Sequence, residues 1–303
     1  MEEVPVPAPG VGEVLVEVHA GGLNFADTER RRGLYLASEP LPETSGFEGA
    51  GVVCALGPGV DAGWLQRRVA FTAPRAHAEY CAVPGGKLIA LPDALDFVQA
   101  AAFPVQALTA WHVLHTLGRV TPRDVVLVHS AAGGVGQLLV QLAREAGATV
   151  IGSVSRDGKQ PRVRALGAHH VLTRGPEFLA ALQAVAPGGV TLLLEAVGAE
   201  VSKEVLPALA PLGRWVTYGS ASGAPPPLEL EALFEKSVTV SAFWLRTVMP
   251  PAVAEGAQGE VLARLLDGRL TQEVTRCALE EAPRVHRRLE AGLTTGKWVF
   301  TVR

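Results

Sequence analysis

The stretch that most constrains this chain is Val125–Val140, VVLVHSAAGGVGQLLV. It is an apolar run of four, a turn of small residues, and then apolar residues again at helical spacing. A short apolar run closed by glycine reads as a buried strand, and the amphipathic Gln137–Glu145 that follows reads as a helix. A second apolar run, Thr149–Val154, completes a strand–turn–helix–strand unit. Glycine is needed at such a junction because backbone N–H groups and the positive end of the helix must reach a ligand with no side chains between, the geometry that cradles a pyrophosphate. Gly133 and Gly136, with Gly134 and Val135 between them, fill the second and third positions of a GxGxxG pattern, and Ala131 stands where the first glycine belongs.

The end of the second run indicates which dinucleotide is held. Strands in this position that bind NAD usually end in an acid that accepts from the ribose 2′-hydroxyl. Here the chain reads Gly152-Ser153-Val154-Ser155-Arg156-Asp157-Gly158-Lys159, with Val154 in the acid's place. Ser155, Arg156 and Lys159 suit a 2′-phosphate, which an acid would repel and a cation attract. NADPH is therefore expected rather than NADH.

The rest of the chain supplies the frame for that unit. Six runs (Val125–Val128, Thr149–Val154, His170–Leu172, Thr191–Leu194, Arg214–Tyr218 and Val238–Ala242) alternate with helix-like segments, the pattern of a doubly wound α/β domain with a parallel sheet. Upstream, Glu13–Val18, Gly49–Leu56, Arg68–Phe71, Ala78–Val83 and Lys87–Leu91 are short β-rich runs between Gly/Pro turns, which reads as a compact barrel-like domain. Phe97–Leu117 reads as helical. The tail beyond Thr271, ending in Trp298–Val302, is expected to return to the β domain. Residues 1–103 with 271–303 and residues 104–270 are thus expected to form the two domains, as a length of 303 residues suggests.

Composition narrows the function. The chain is 48% hydrophobic with a net charge of -3, so it offers no basic field for nucleic acid and suits a small neutral or anionic ligand. Cys54, Cys81 and Cys277 form no CxxC, and the start MEEVPVPAPG lacks the basic and apolar regions of a signal peptide. No apolar run reaches the ~18 residues of a membrane span, so a cytoplasmic protein is expected.

Five segments together resemble the zinc-independent quinone oxidoreductases of the medium-chain dehydrogenase/reductase superfamily, the zeta-crystallin-like group. They are GLNFADTERRRGLY (Gly22 to Tyr35), GFEGAGVV (Gly46 to Val53), AAFPVQALTAWHVL (Ala101 to Leu114), HSAAGGVGQLLVQLA (His129 to Ala143) and TGKWVF (Thr295 to Phe300). The resemblance implies a GroES-like β-barrel domain, an inserted Rossmann domain and NADPH in the cleft between them. It also implies that Gly133 to Gly136 cradle the pyrophosphate, that Ser155 and Lys159 meet the 2′-phosphate, and that Thr109 and Asn24 lie towards the nicotinamide. Phe243, Trp244 and Lys297 match positions on the cofactor's far wall. Arg174 stands where the group often has tyrosine and adds a phosphate contact, and Glu29, also a tyrosine in relatives, would narrow or polarise the substrate pocket. Relatives usually begin with a further strand pair upstream of Glu2, so the β domain is expected to lack that edge.

The same comparison disfavours other chemistry. Zinc relatives use a Gly-His-Glu motif and a catalytic cysteine, whereas this chain has Gly46-Phe47-Glu48 and Asn24-Phe25-Ala26-Asp27, so no metal site is expected. Gly219-Ser220-Ala221-Ser222-Gly223 has Ala221 where a nucleophile elbow needs serine. Gly219 and Ser220 are instead expected at the nicotinamide ribose. Hydride transfer without a metal suits an acceptor that is already electrophilic, a quinone or an activated enone, with Asn24 and Tyr35 as candidate donors to its oxygen. Asp27 and Arg31, four apart on a helix, are expected to pair. Three functions stay open: an NADPH-dependent quinone reductase, a 2-alkenal or enone reductase of the same fold, and an NADPH-binding structural or RNA-binding protein. The apolar run Val238–Ala242 at a sheet edge predicts a two-fold homodimer.

Overall fold

The computed structural model describes residues 2–35, 40–198, 205–247 and 250–303. The chain divides into two compact units, residues 1–106 with 272–303, and residues 107–271. The strands in chain order are β1 (Glu13–Leu23), β2 (Glu48–Leu56), β3 (Arg68–Thr72), β4 (Tyr80–Pro84), β5 (Leu88–Ala90), β6 (Val125–Val128), β7 (Thr149–Val154), β8 (His170–Thr173), β9 (Val190–Glu195), β10 (Leu209–Thr217), β11 (Thr239–Ala242), β12 (Val274–Ala278) and β13 (Lys297–Thr301).

In the first unit these strands form one sheet ordered β12-β13-β1-β2-β3-β5, with β4 also on β1. The central strand β1 alternates as a half-buried strand must, sending Val14, Val16 and Val18 into a core with Val53, Val69, Phe71 and Val83. Its eleven residues change partners along their length: Glu13–Glu17 pair with β4, and Ala20–Leu23 pair with β13. Behind that second half, Leu23, Cys277, Val285 and Phe300 make a smaller core.

The second unit holds a six-stranded sheet ordered β11-β10-β9-β6-β7-β8, every pair parallel. This is the doubly wound dinucleotide order, with the direction of winding reversing between β6 and β9. Leu127, Ile151, Leu193 and Trp215 from its strands pack against Phe178 and Leu182 of the helix Phe178–Val185. The edge strand β11 is only half covered.

The segment Phe97–Leu117, expected to be one helix, is interrupted. Helix α1 (Phe25–Arg31) follows β1, α2 (Phe97–Ala102) is capped by Asp96, and α3 (Pro104–Trp111) starts anew after Phe103. Pro104 lacks the N–H that would continue α2 and crowds the carbonyl four residues back, which ends that helix. A π-helical turn, His112–Leu117, prolongs α3. Among the described residues no helix is long and apolar enough to cross a membrane.

Candidate functional site

In the second unit, β6 leads through His129 and Ser130 into α4 (Gly134–Glu145). Ser130 takes a left-handed φ of 52°, and the turn closes with Gly133 N–H donating to Ser130 O at 2.8 Å and Ala131 N–H to Ser153 O at 3.0 Å. A Cβ on Gly136 would lie 2.8 Å from Ala131 Cα and closer still to the Ser130 carbonyl oxygen, so the helix can approach the strand only at glycine. Gly133 caps α4 without a side chain, which leaves the first turn of the helix uncovered by its own cap. Ala131 is tolerated in place of the usual first glycine for a reason across the sheet. Gly152 on β7 faces it, and a Cβ on Gly152 would stand 3.0 Å from Ala131 Cβ and 2.6 Å from Val163 Cγ1.

The carboxyl ends of β7 and β8 gather positive charge. Ser155 and Arg156 are exposed, and Lys159 and Arg174 half-buried. Burial, then the charges of Arg156 and Arg174, hold the Lys159 ammonium below its usual range, so these three cations press on one another. Arg174 Nε is buried and makes no hydrogen bond. The neighbouring Asp157 is engaged by Thr173 and, at 2.9 Å, by Gln160. Together with the glycine turn, this group of cations fits a phosphorylated dinucleotide.

The other residues expected in this unit lie as follows. Gly219 and Ser220 follow β10, with Ser220 O accepting from Gly223 N–H at 2.7 Å. Phe243, just past β11, is buried with its ring 5.7 Å from that of His112, and Trp244 is partly exposed with the Arg246 guanidinium 5.3 Å over its ring. Thr109 is buried on α3. The turn, Ser155, Gly219 and Phe243 all stand at carboxyl ends of parallel strands, the end at which such sheets bind ligands. Two residues absent from the sequence reading also belong here. Glu195, fully buried at the end of β9, accepts from Val197 and Gly198 N–H, and burial raises its carboxyl. His129, fully buried, meets Ser153 Oγ through Nδ1 at 2.6 Å. A lone acid ending an apolar strand and a histidine ending another were the available signals.

In the first unit, the start of α1 is built into a buried polar network. Asn24 precedes the helix and is 5% exposed. Its Nδ2 donates to Glu48 Oε1 at 2.6 Å, and its Oδ1 accepts from Lys297 Nζ at 3.0 Å and Gln106 Nε2 at 3.1 Å. Lys297 and Glu48 form an ion pair and are both 0% exposed. Glu48 Oε2 accepts from Val105 N–H at 2.6 Å, and Gln272 Nε2 donates to Gln106 Oε1 at 3.0 Å. Lys297, expected on the cofactor's far wall, has its ammonium engaged by Glu48 and Asn24 inside the first unit. The expected Asp27–Arg31 pair is corrected. Asp27 turns inward to accept from Asn24 N–H at 2.7 Å and Gly46 N–H at 3.1 Å, while Arg31 bonds Glu290.

Phe47 occupies the position of the zinc-ligand histidine, and its surroundings are aromatic and cationic. The half-buried Tyr35 ring stands 5.1 Å from it, and Arg30, held by Glu43, lies 5.2 Å over its face. Glu29 is half-buried, and burial raises its carboxyl. Among the described residues there is no group of three or more His, Cys, Asp or Glu able to hold a metal ion.

Buried titratable groups give this chain a definite acid response. Burial pushes His77 down to about 4, despite its contact with the Gly22 carbonyl. Burial, reinforced by Arg174, holds His129 at about 3. Each histidine stays neutral when folded but charges when unfolded, so its stabilising contribution is complete above pH ~6.5 and is lost as pH falls towards the folded value. Asp27, raised by burial to about 6, acts oppositely, its contribution being complete in acid and lost as pH rises through about 6. His77→Gln should therefore be less acid-sensitive than the parent by about 1.4 kcal/mol per pH unit between pH ~6.5 and ~4. Urea unfolding across that range checks this, and parallel slopes would show that His77 takes up its proton while folded.

Comparison with known proteins places this architecture. The chain matches the family described as Alcohol dehydrogenase GroES-like domain over residues 10–93 and that described as Zinc-binding dehydrogenase over residues 134–258. It is 35% identical over 299 residues to a quinone oxidoreductase of Pseudomonas aeruginosa, covering 96% of this chain and 92% of that protein. It is 37% identical over 238 residues to a 2-haloacrylate reductase of a Burkholderia species, covering 76% of this chain and 71% of that one. The Escherichia coli quinone oxidoreductase complexed with NADPH superposes with a TM-score of 0.93 at 30% identity, covering 99% of this chain and 94% of that chain. The chain spans about half (54%) of the rat synaptic vesicle membrane protein VAT-1 homolog, to which it is 38% identical over 219 residues. A parallel sheet in doubly wound order, opened by a glycine turn and joined to a GroES-like unit, defines a medium-chain dehydrogenase/reductase, and the chain belongs to that superfamily. The zinc-independent quinone oxidoreductases are the group within it that fits Gly46-Phe47-Glu48.

Proposed function

We propose that this protein is an NADPH-dependent oxidoreductase that reduces quinones without a metal. The observation that carries the reading is the crowding of Arg156, Lys159 and Arg174 beside the glycine turn, where no acid stands at the end of β7. When bound, the nicotinamide supplies a hydride, which with one proton converts a quinone to its hydroquinone. The N–H groups of Gly134, Val135 and Gly136 and the dipole of α4 hold the pyrophosphate, and Ser155, Arg156, Lys159 and Arg174 hold the 2′-phosphate. Thr109, Gly219, Ser220, Phe243 and Trp244 confine the nicotinamide and its ribose. Asn24 and Tyr35 donate hydrogen bonds to the acceptor oxygen as charge builds there.

A second reading, reduction of an enone or 2-alkenal, is favoured by the likeness to a 2-haloacrylate reductase, whose named substrate has an activated double bond. NADPH oxidation measured with 1,2- and 1,4-quinones and with 2-alkenals separates the two. Lys159→Glu tests the cofactor assignment: NADPH affinity should fall by about 10- to 100-fold relative to NADH. An unmoved preference would take the 2′-phosphate away from Lys159. Pairing of β11 edges in a two-fold dimer belongs to the same proposal, since β11 is a half-covered edge of the sheet. Elution of the purified protein at the monomer mass would refute that pairing.

A further inference from the structure

We propose that Glu48 and Lys297 are positioning residues, a buried pair that fixes the carboxamide of Asn24 so that its nitrogen faces the acceptor as donor. This rests on the role given to Asn24 above. Two donors, Lys297 Nζ and Gln106 Nε2, converge on Asn24 Oδ1, and an acceptor, Glu48 Oε1, meets Nδ2. An amide so surrounded cannot turn over, because the flip would set its N–H groups against two donors and its oxygen against a carboxylate. One N–H of Nδ2 is bound to Glu48, and the orientation of the second follows from the first.

Stability alone does not account for the pair. Both side chains are 0% exposed, and apolar residues of similar volume in such a place are often as stable or more so. The neighbouring strands are nonetheless shaped around it. β1 lies between β2, which carries Glu48, and β13, which carries Lys297. At the crossing stands Gly22, where a Cβ would come 2.7 Å from Glu48 Oε1 and closer still to the Ala101 carbonyl. The same carboxylate anchors Val105 N–H at the start of α3, next to the Gln106 that completes the grip on Asn24. One acid thus sets both sides of the amide.

The test compares the parent with Glu48→Gln/Lys297→Met, Asn24→Ala and the triple combination. Glutamine has one acceptor atom for the N–H groups of Asn24 and Val105, so the double variant stays neutral and filled but loses the grip. It should bind NADPH within about threefold of the parent by fluorescence titration. Its kcat should fall at least about tenfold while KM for the quinone or enone holds, and in the Asn24→Ala background it should cost nothing more. In the ¹⁵N-labelled protein, the Asn24 side-chain amide resonance, assigned by its loss in Asn24→Ala, should shift towards that of an exposed amide. An unmoved resonance, a parental kcat, or a further full loss in the Asn24→Ala background would each overturn the proposal. If the parent oxidises NADPH with neither acceptor class, the functional reading fails while the resonance still decides the positioning. Should the double variant not fold, Glu48→Asp, which keeps the charge but draws it back from Asn24, is judged by the same readouts.

Discussion

Gly136→Ala should lose NADPH binding by at least about 100-fold, equivalent to about 3 kcal/mol. Every atom that the new methyl group would meet is backbone: Ala131 Cα at 2.8 Å, Ser130 C at 2.9 Å, and the Ser130 carbonyl oxygen nearer still. None can rotate aside, so the turn must open and carry with it the N–H groups of Gly134 and Val135 proposed to hold the pyrophosphate. Overpacking of about 1–3 kcal/mol, added to the displaced donors, gives the size of the effect. Gly133→Ala is the control. Its Cβ would meet only the Ser130 oxygen, at 3.1 Å, and the loss should be far smaller. Calorimetric titration of both variants checks the contrast, and tight binding by Gly136→Ala would remove the turn from the cofactor site.

The second large effect is on stability. Lys297→Met alone strips the cation from a carboxylate with no exposure to water, and Glu48 has only the N–H groups of Asn24 and Val105 to replace it. Leaving such a charge uncompensated costs about 3–5 kcal/mol. At about 2–4 °C per kcal/mol for a unit of this size, the melting temperature should fall by roughly 10 °C. Adding Glu48→Gln removes the stranded charge and should restore most of the loss. A single variant that melts within about 2 °C of the parent would mean that the pair contributes nothing as ions.

These two sites differ in how readable they are. The glycine turn is local, and the strands around it are buried on both faces, so VVLV and TVIGSV announce themselves as apolar runs. Even there, a contiguous motif could not reveal that Gly152, on the neighbouring strand, is what makes room for Ala131. The Asn24 network has no spacing to detect, because Lys297 reaches Asn24 across 273 positions and Glu48 across 249. Only the registry of β2, β1 and β13 brings these residues together. Asp27 and Arg31 show the opposite hazard. Their spacing was suitable for a pair, but the unpaired N–H groups of Asn24 and Gly46 had the stronger claim on a buried carboxylate. The helical reading of Phe97–Leu117 had the right periodicity and underrated Pro104.

The return of β13 to β1 orders events during synthesis. The second unit is one continuous stretch, and all its strands have been synthesised before residue 272 is added. In the first unit β1 pairs with β13 over Ala20–Leu23, so that half of its edge stays open until Lys297–Thr301 has been made and returns to it. Until then Glu48 lacks the Lys297 ammonium, and the return of β13 completes the polar network around Asn24. A chain ending at Gly296 would hold every strand of the second unit and leave the first without β13.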